Sequence, residues 1–249
     1  MKALLKGVLL VVFSVVLAGS AYLTFKFDDM LKAAIVDYGP QVTKTKVAVA
    51  AIHVHPLLGS ATIKGLAVGN PKGFSAADAF SADSIKASLR PKSLMTDTIA
   101  VDLVEVDGAK VNLEGKGAAS NLTKIESNAN AFAGEMQKKL GGESAPAKPA
   151  KPEKSKSVVI KRLVLKGAQA TVRYGVISGN ALTVSLPDIE LRDISTANKA
   201  SVVAELVSRV TKAVQDQVMK TAAQPLKDIG NGVMKNLGIN GLFGKKKKK

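Results

Sequence analysis

The chain has 249 residues, a formal net charge of +16 and no cysteine, which excludes disulfides, thiolate nucleophiles and thiolate metal sites. Aromatic residues make up only 4% of the chain, so it lacks the arginine and aromatic clusters that bind single-stranded nucleic acid, and we expect no nucleic-acid partner.

The first predicted element is a transmembrane helix. The 19 residues from Gly7 to Phe25 carry no charge, and as a helix they would span nearly 30 Å, the thickness of a bilayer's hydrocarbon core. Lys2 and Lys6 precede this segment, whereas Asp28 and Asp29 follow it closely. The positive-inside bias therefore predicts a single-pass membrane protein with a cytoplasmic N-terminus and an exported body.

A cleaved signal peptide is the alternative interpretation of the same segment. Ala18 to Ala21 is a run of small residues that fits a cleavage site. The apolar run continues past this site through Tyr22, Leu23 and Phe25, which favours an uncleaved anchor. Both interpretations place the body outside the cytoplasm.

Short elements follow the anchor. A helix is expected over 27–38, ended by Gly39-Pro40, and the patterns after it are mainly those of strands. The Asp107-Gly108 dipeptide predicts a β-hairpin. The expected strands are 45–55, 62–68, 84–89, 99–106 and 109–114.

An internal repeat lies 59 residues along the chain. Residues 99–114 align without gaps with residues 158–173, so that Gly108 falls on Gly167 and Val106 on Leu165. Each copy reads as a strand, a glycine turn and an alternating strand. The repeat predicts a body built from β-hairpin units.

Two amphipathic helices are expected. Thr123 to Glu126 resembles a capping box that begins a helix reaching residue 140, with Ile125, Phe132, Met136 and Leu140 on one face. A second helix over 201–223 carries an i, i+4 stripe of apolar residues. The usual partner of such a stripe is the protein's own sheet, and a bilayer or another subunit is the alternative.

Between and after these elements the expected segments are a Pro-, Lys- and Ala-rich linker, a last hairpin around Pro187-Asp188 and a basic tail. The hairpin strands are 181–186 and 189–194. The predicted organisation is an anchor at 1–26, a first β-rich unit with a helix at 27–140, the linker at 141–157, a second hairpin unit with the long helix at 158–223, and a glycine-containing tail ending in lysines at 224–249.

Candidates for chemistry are scarce. His53 and His55 share one face of a predicted strand, but two imidazoles without a third ligand nearby in sequence make a poor metal site. The carboxylates are scattered, and phosphate-binding loops, nucleophile elbows and zinc-protease helices are absent from the sequence. We therefore expect no catalytic residues, no metal, no cofactor and no enzymatic activity.

The order of motifs resembles a known family. An N-terminal anchor, a strand pair, the turn motif "GNPKGF" and then "IAVDLVEVDGAKVNLE" are similar to the N-terminal module of AsmA-like proteins of Gram-negative bacteria, over residues 1–215. The turn motif comprises Gly69, Asn70, Pro71, Gly73 and Phe74. The resemblance implies an inner-membrane anchor, a periplasmic sheet curled into a trough, and work in phospholipid movement or outer-membrane assembly.

The sequence therefore predicts an α+β fold, in which a transmembrane helix precedes a curved, mostly antiparallel sheet of repeated hairpins with two amphipathic helices. The leading hypothesis is envelope lipid handling, with membrane phospholipid as partner and acyl chains held on an apolar β-face. The rival is a non-enzymatic scaffold with a closed core that docks on a membrane or an envelope protein. Candidate lipid-lining residues are Val101, Val111, Leu113, Ile160, Val172, Leu182, Val184 and Leu186.

Overall fold

A computed structural model describes residues 26–116, 119–141, 157–174, 181–196 and 199–236. The predicted anchor and the lysine tail lie outside these residues, as does most of the predicted linker. Within them the fold is α+β, with three helices on one eleven-stranded sheet. The helices are α1 (26–43), α2 (Asn121–Gly141) and α3 (Lys199–Asn236).

The strands are β1 (Val47–Ala48), β2 (Ala51–His55), β3 (Ser60–Gly69), β4 (Asp78–Leu89), β5 (Thr98–Asp107), β6 (Lys110–Lys116), β7 (Ala119–Ser120), β8 (Ser157–Lys166), β9 (Gln169–Tyr174), β10 (Leu182–Ser185) and β11 (Ile189–Thr196). Collinear strands form six lines, which follow one another across the sheet in the order β1–β2, β3, β4, β5–β6, β8–β9 and β10–β11, while the short β7 pairs with the end of β6. A 3₁₀ helix, Pro91–Met95, joins β4 to β5.

The hairpin predicted at Asp107-Gly108 is wrong. Strands β5 and β6 run in the same direction and both pair antiparallel with β4, with Asp107 opposite Ser84 and Val111 opposite Phe80. Gly108 has a φ of +64°, so the residue expected to reverse the chain makes a bend within one long strand.

The hairpin predicted around Pro187-Asp188 is wrong for the same reason. Strand β10 pairs antiparallel with β9, and β11 continues in the same direction along β8. The chain is extended on both sides of Pro187. Partners on the neighbouring line, rather than the local turn residues, decide its path.

The internal repeat is confirmed, and its two copies lie side by side. Strand β8 pairs parallel with β5, and β9 pairs parallel with β6, each residue facing the one 59 positions earlier, as in Val101 opposite Ile160 and Val111 opposite Ala170. The sheet is therefore mixed, with antiparallel pairs on either side of this parallel seam.

The positive-φ glycines of three lines lie at one level of the sheet, here called the crease. Gly65 lies opposite Asp83 by register, and a Cβ on Gly108 would clash with an Asp83 carboxylate oxygen. Gly167, with a φ of +57°, continues the crease, and its N–H donates to the Asp188 carboxylate at 3.4 Å. The sheet is curled, and glycine permits the backbone conformation that the crease requires.

The helix boundaries differ from prediction at several ends. Helix α1 continues through Gly39-Pro40 to residue 43, because Val42 is buried and Gly39 packs directly on Val47. Helix α2 begins at Asn121, where Ser120 and Thr123 cap each other's backbone N–H with their hydroxyls. The capping pair thus lies three residues upstream of the predicted one.

Helix α3 extends to Asn236, so the predicted tail begins thirteen residues too early. The apolar stripe of α3 packs on the protein's own sheet, as the usual interpretation of such a stripe predicts. Val214 and Val218 are buried, and Leu206 and Val210 pack against the same core. The main core thus lies between the sheet and the helices α2 and α3.

Candidate functional site

One face of the sheet, here called the inner face, carries apolar rows that cross all six lines. Residues paired directly across neighbouring strands point to the same face. One such row runs Ile52, Ile63, Ile85, Val106, Leu165, Ile189, and the next runs Val54, Ala61, Ala87, Val104, Leu163, Leu191.

The helices cover the two sides of the inner face unequally. Helix α2 packs on β6 and β7, and α3 packs on β8, β10 and β11. At the opposite side, α1 runs along β1 and β2. Gly39 of α1 contacts Val47, and the Asp28 carboxylate accepts a hydrogen bond from the Val54 N–H at 2.5 Å. Strands β3 and β4, with the end of β2 at Val54 and the first part of β5, lie between the helices of the two sides.

This intermediate region forms an apolar window. Its side chains are all partly exposed, whereas residues further along the same rows, such as Leu163 and Leu165, are buried. Four strands at about 4.8 Å spacing make the window about 14 Å wide. The window comprises Val54, Ala61, Ile63, Ile85, Ala87, Leu89, Val101 and Val104.

The eight predicted lipid-lining residues do share the inner face, but most lie under the helices. Val101 belongs to the window, and Leu182 is partly exposed on the far edge strand β10. The other six are buried in one core cluster that also contains Val214 and Val218 of α3. These six are Val111, Leu113, Ile160, Val172, Val184 and Leu186.

Sequence reasoning missed the window residues on β2, β3 and β4. The alternation in 60–68 and 84–89 was a usable signal, since Ile63 and Ile85 each alternate with polar neighbours. The prediction instead gave weight to the repeated segments. Those segments provide the strands on which α2 and α3 pack.

The other face of the sheet, the outer face, is ionic. Asp102 accepts from Arg90 and Lys161, and hydrogen bonding to Arg90 is the largest cause of the lowered pKa of its carboxyl. The Lys166 ammonium lies 2.6 Å from Glu105, which raises the pKa of that amine. These pairs are well solvated, so each contributes little to stability, but together they exclude this face as an apolar binding surface.

The motif "GNPKGF" forms the β3–β4 turn, and a buried carboxylate holds it. Glu114 of β6 is 6% exposed and accepts from the Asn70 amide, the Ser75 N–H and hydroxyl, and the Ala76 N–H, at 2.6–2.9 Å. Asn121 links Asn70 to the backbone of β6. The turn is therefore fixed by side-chain hydrogen bonds to Glu114 and Asn121, two residues that were not singled out from the sequence.

Two opposing effects act on the Glu114 carboxyl. Burial alone would raise its pKa, whereas the hydrogen bonds from Ser75 and Ala76 and the positive charge of Arg173 lower it, and the net pKa lies below the ordinary value. The group is thus held as a carboxylate at neutral pH.

The remaining polar features offer little chemistry. His53 lies 3.7 Å from Asp28, and His55 is exposed on the same strand. A shallow cleft of about 230 Å³ lies between α1 and β2, lined by Asp28, Asp29, Lys32 and β2 residues. In the part of the chain that the structure describes, no group of three His, Asp or Glu residues is placed to hold a metal ion.

From residue 26 onward, no helix among the described residues has the length and apolar character needed to cross a membrane. The predicted anchor lies before that point. A family model for the AsmA family matches residues 1–207 of the 249, a range that includes the predicted anchor, the window and the first part of α3. Comparison with curated proteins gives no match.

Proposed function

Because the chain belongs to the AsmA family, we propose that it is an inner-membrane-anchored, periplasmic protein of a Gram-negative envelope that binds lipid acyl chains in the apolar window. Family membership is consistent with an envelope-related function. The window is the observation that supports lipid as the ligand.

Three properties make the window suited to acyl chains. Its floor is apolar throughout, its side chains remain partly exposed in the folded protein, and helices flank it on both sides. Contiguous, partly exposed apolar surface of this kind favours binding of an apolar partner over water. The ionic outer face gives the sheet a solvated side, so that only one face is available to lipid.

The proposal is of binding without catalysis. Binding of acyl chains in the window requires only apolar surface and a suitable shape. It requires neither proton transfer nor a nucleophile. The partner is membrane phospholipid, and an envelope protein could receive or deliver it.

The width of the sheet bears on how lipid would move. Six lines at about 4.8 Å spacing place the outermost lines only about 24 Å apart. The sheet is this narrow because the strands on either side of Gly108 and of Pro187 are collinear and do not form the predicted hairpins. We therefore propose local lipid binding at the inner membrane, not a bridge across the periplasm.

Site-specific photo-crosslinking in living cells tests the proposal in the full chain. A benzophenone amino acid placed at Ile63 or Ile85 should crosslink to ³²P-labelled phospholipid. Lys86, the neighbour of Ile85 on the outer face of the same strand, is the matched control and should remain unlabelled. Labelling at Ile63 and Ile85 no stronger than at Lys86 would refute lipid binding in the window.

A protein crosslink at Ile63 or Ile85 without lipid would favour the rival scaffold function. The observation that supports the scaffold hypothesis is the closed core beneath α2 and α3. It buries six of the eight predicted lining residues, which are therefore not accessible to lipid. The same experiment therefore separates the two hypotheses by the mass and the radiolabel of the crosslinked product.

A further inference from the structure

Three large apolar side chains project from one end of the sheet, here called the tip. Leu57, Leu58 and Met95 are 83%, 77% and 91% exposed. Leu57 and Leu58 lie in the β2–β3 turn, and Met95 ends the 3₁₀ helix between β4 and β5. Exposed leucine and methionine at this density indicate a surface that meets an apolar partner.

The tip is built of ordered backbone. The Leu58 and Gly59 N–H groups donate within their own turn to His55 and Pro56, at 3.1 and 3.2 Å. The Leu89 N–H donates to the Gly59 carbonyl at 2.7 Å, which joins the two loops. Because these backbone groups form hydrogen bonds within the tip, the conformation of the two connections is defined and their apolar side chains point into solvent.

Helix α1 begins at this same end. Asp28 contacts Val54, three residues before Leu57, while Gly39 lies further down the sheet against Val47. Asp28 is three positions after Phe25, which is at most about 11 Å of chain. The segment predicted to cross the bilayer therefore joins the body beside the tip.

Formal charges near the tip are balanced. Lys26 and Lys92 are exposed, and so are Asp29 and Asp97, while the exposed Arg90 is paired with Asp102. A nucleic acid or a strongly acidic protein would find no excess of positive charge there. Apolar contact, rather than charge attraction, fits this surface best.

We propose that the tip inserts into the interfacial layer of the bilayer leaflet that surrounds the anchor. Leu57, Leu58 and Met95 enter the boundary between headgroups and acyl chains. Leu89 and Val101, the end of the window nearest the tip, then face the membrane. The inference rests on the predicted anchor and on the proposed lipid-binding function, and it adds the surface by which lipid would reach the window.

Single-cysteine spin labelling tests the insertion, since the natural chain has no cysteine to remove. The full chain, labelled at L57C, L58C or M95C, is reconstituted into vesicles of phosphatidylethanolamine and phosphatidylglycerol. Each label should relax more with oxygen than with a water-soluble nickel chelate, at a depth of about 5–10 Å below the phosphates. A label at K72C, in the turn at the opposite end of the sheet, should show the reverse.

A further label at V15C, within the predicted anchor, separates the two possible failures. If the label at residue 15 lies in the bilayer while those at 57, 58 and 95 match the label at 72, tip insertion is overturned and the anchor stands. Aqueous labels at 15, 57, 58 and 95 together would overturn both.

A variant of the tip distinguishes membrane insertion of the tip from lipid binding in the window. The double substitution L57D/L58D alters only exposed side chains, so the fold should be retained. Lipid crosslinking at Ile63 and Ile85 should fall severalfold in this variant if the tip admits lipid to the window. Crosslinking at the wild-type level, with tip labels in water, would leave lipid binding intact and refute docking.

Discussion

Replacing Glu114 with glutamine should destabilise the protein markedly, although the side chain keeps its shape. The carboxylate accepts four hydrogen bonds in a buried site. Glutamine has one oxygen, which can still accept from Asn70 and Ala76, but its NH₂ group would then face the Ser75 N–H. The Ser75 N–H, on an exposed residue, loses its acceptor, and the remaining bonds lose the assistance of the charge.

The expected cost follows from these losses. Exchanging charged for neutral acceptors costs about 1 kcal/mol, and the loss of the bond to the Ser75 N–H, which water can partly replace, adds about 1 kcal/mol, giving about 2 kcal/mol in total. At about 2–4 °C per kcal/mol for a domain of this size, the melting temperature should fall by about 4–8 °C.

Thermal melts of the full chain in detergent micelles, followed by circular dichroism, measure the effect. Glu135→Gln is the matched control, because Glu135 is exposed on α2, and it should change stability by no more than about 0.5 kcal/mol. If Glu114→Gln melts with Glu135→Gln and the wild type, the buried carboxylate does not hold the "GNPKGF" turn as described.

The pH dependence of the same pair is a second readout. Folding lowers the pKa of Glu114 below its ordinary value of 4.5, so its stabilising effect is complete above that value and is lost as pH falls through the folded pKa. The stability gap between wild type and Glu114→Gln should therefore be widest at neutral pH and should narrow below about pH 4.5. A gap that is constant down to pH 3 would contradict the assignment.

Three further substitutions probe the crease, the core and the helix cap. Gly108→Ala should cost more than Gly167→Ala, measured by denaturant unfolding, because both have a positive φ but only the Cβ at 108 would meet Asp83. Adding Asp83→Ala should bring the two costs together, and a persistent difference would refute the clash. Val172→Asp, at a site that is 1% exposed, should abolish the cooperative melt, and a folded, soluble variant would contradict its place in the core. Ser120→Ala should cost about 1 kcal/mol, and an unchanged melt would show that Ser120 does not cap α2.

Sequence patterns predicted the strands well and their connections poorly. An Asp-Gly pair with a positive φ fits both a tight hairpin and a bend within a strand, and the local residues do not distinguish the two. The distant partner β4 decides, because it offers an edge long enough to pair with both β5 and β6. The repeat was visible in the sequence, but its parallel pairing was not.

The candidate site shows a similar limit. The sequence correctly assigned Val111 and Val172 to the apolar face, because their neighbours alternate with polar residues. Register irregularities at Ser88/Leu89 and around Asp102 change which residues of a strand share a face, so Val101 and Val104 face the same side. Which part of that face stays uncovered depends on where α2 and α3 pack, and no local pattern encodes that.

The constant 59-residue offset between the paired repeats has an evolutionary consequence. Because each repeat residue faces its own counterpart, the register of the seam is set by the repeats and not by the number of residues between Gly141 and Ser157. Insertions between those two residues would leave every pair in place, at a small entropic cost. The length of this connection can therefore vary among relatives while the parallel seam keeps its register.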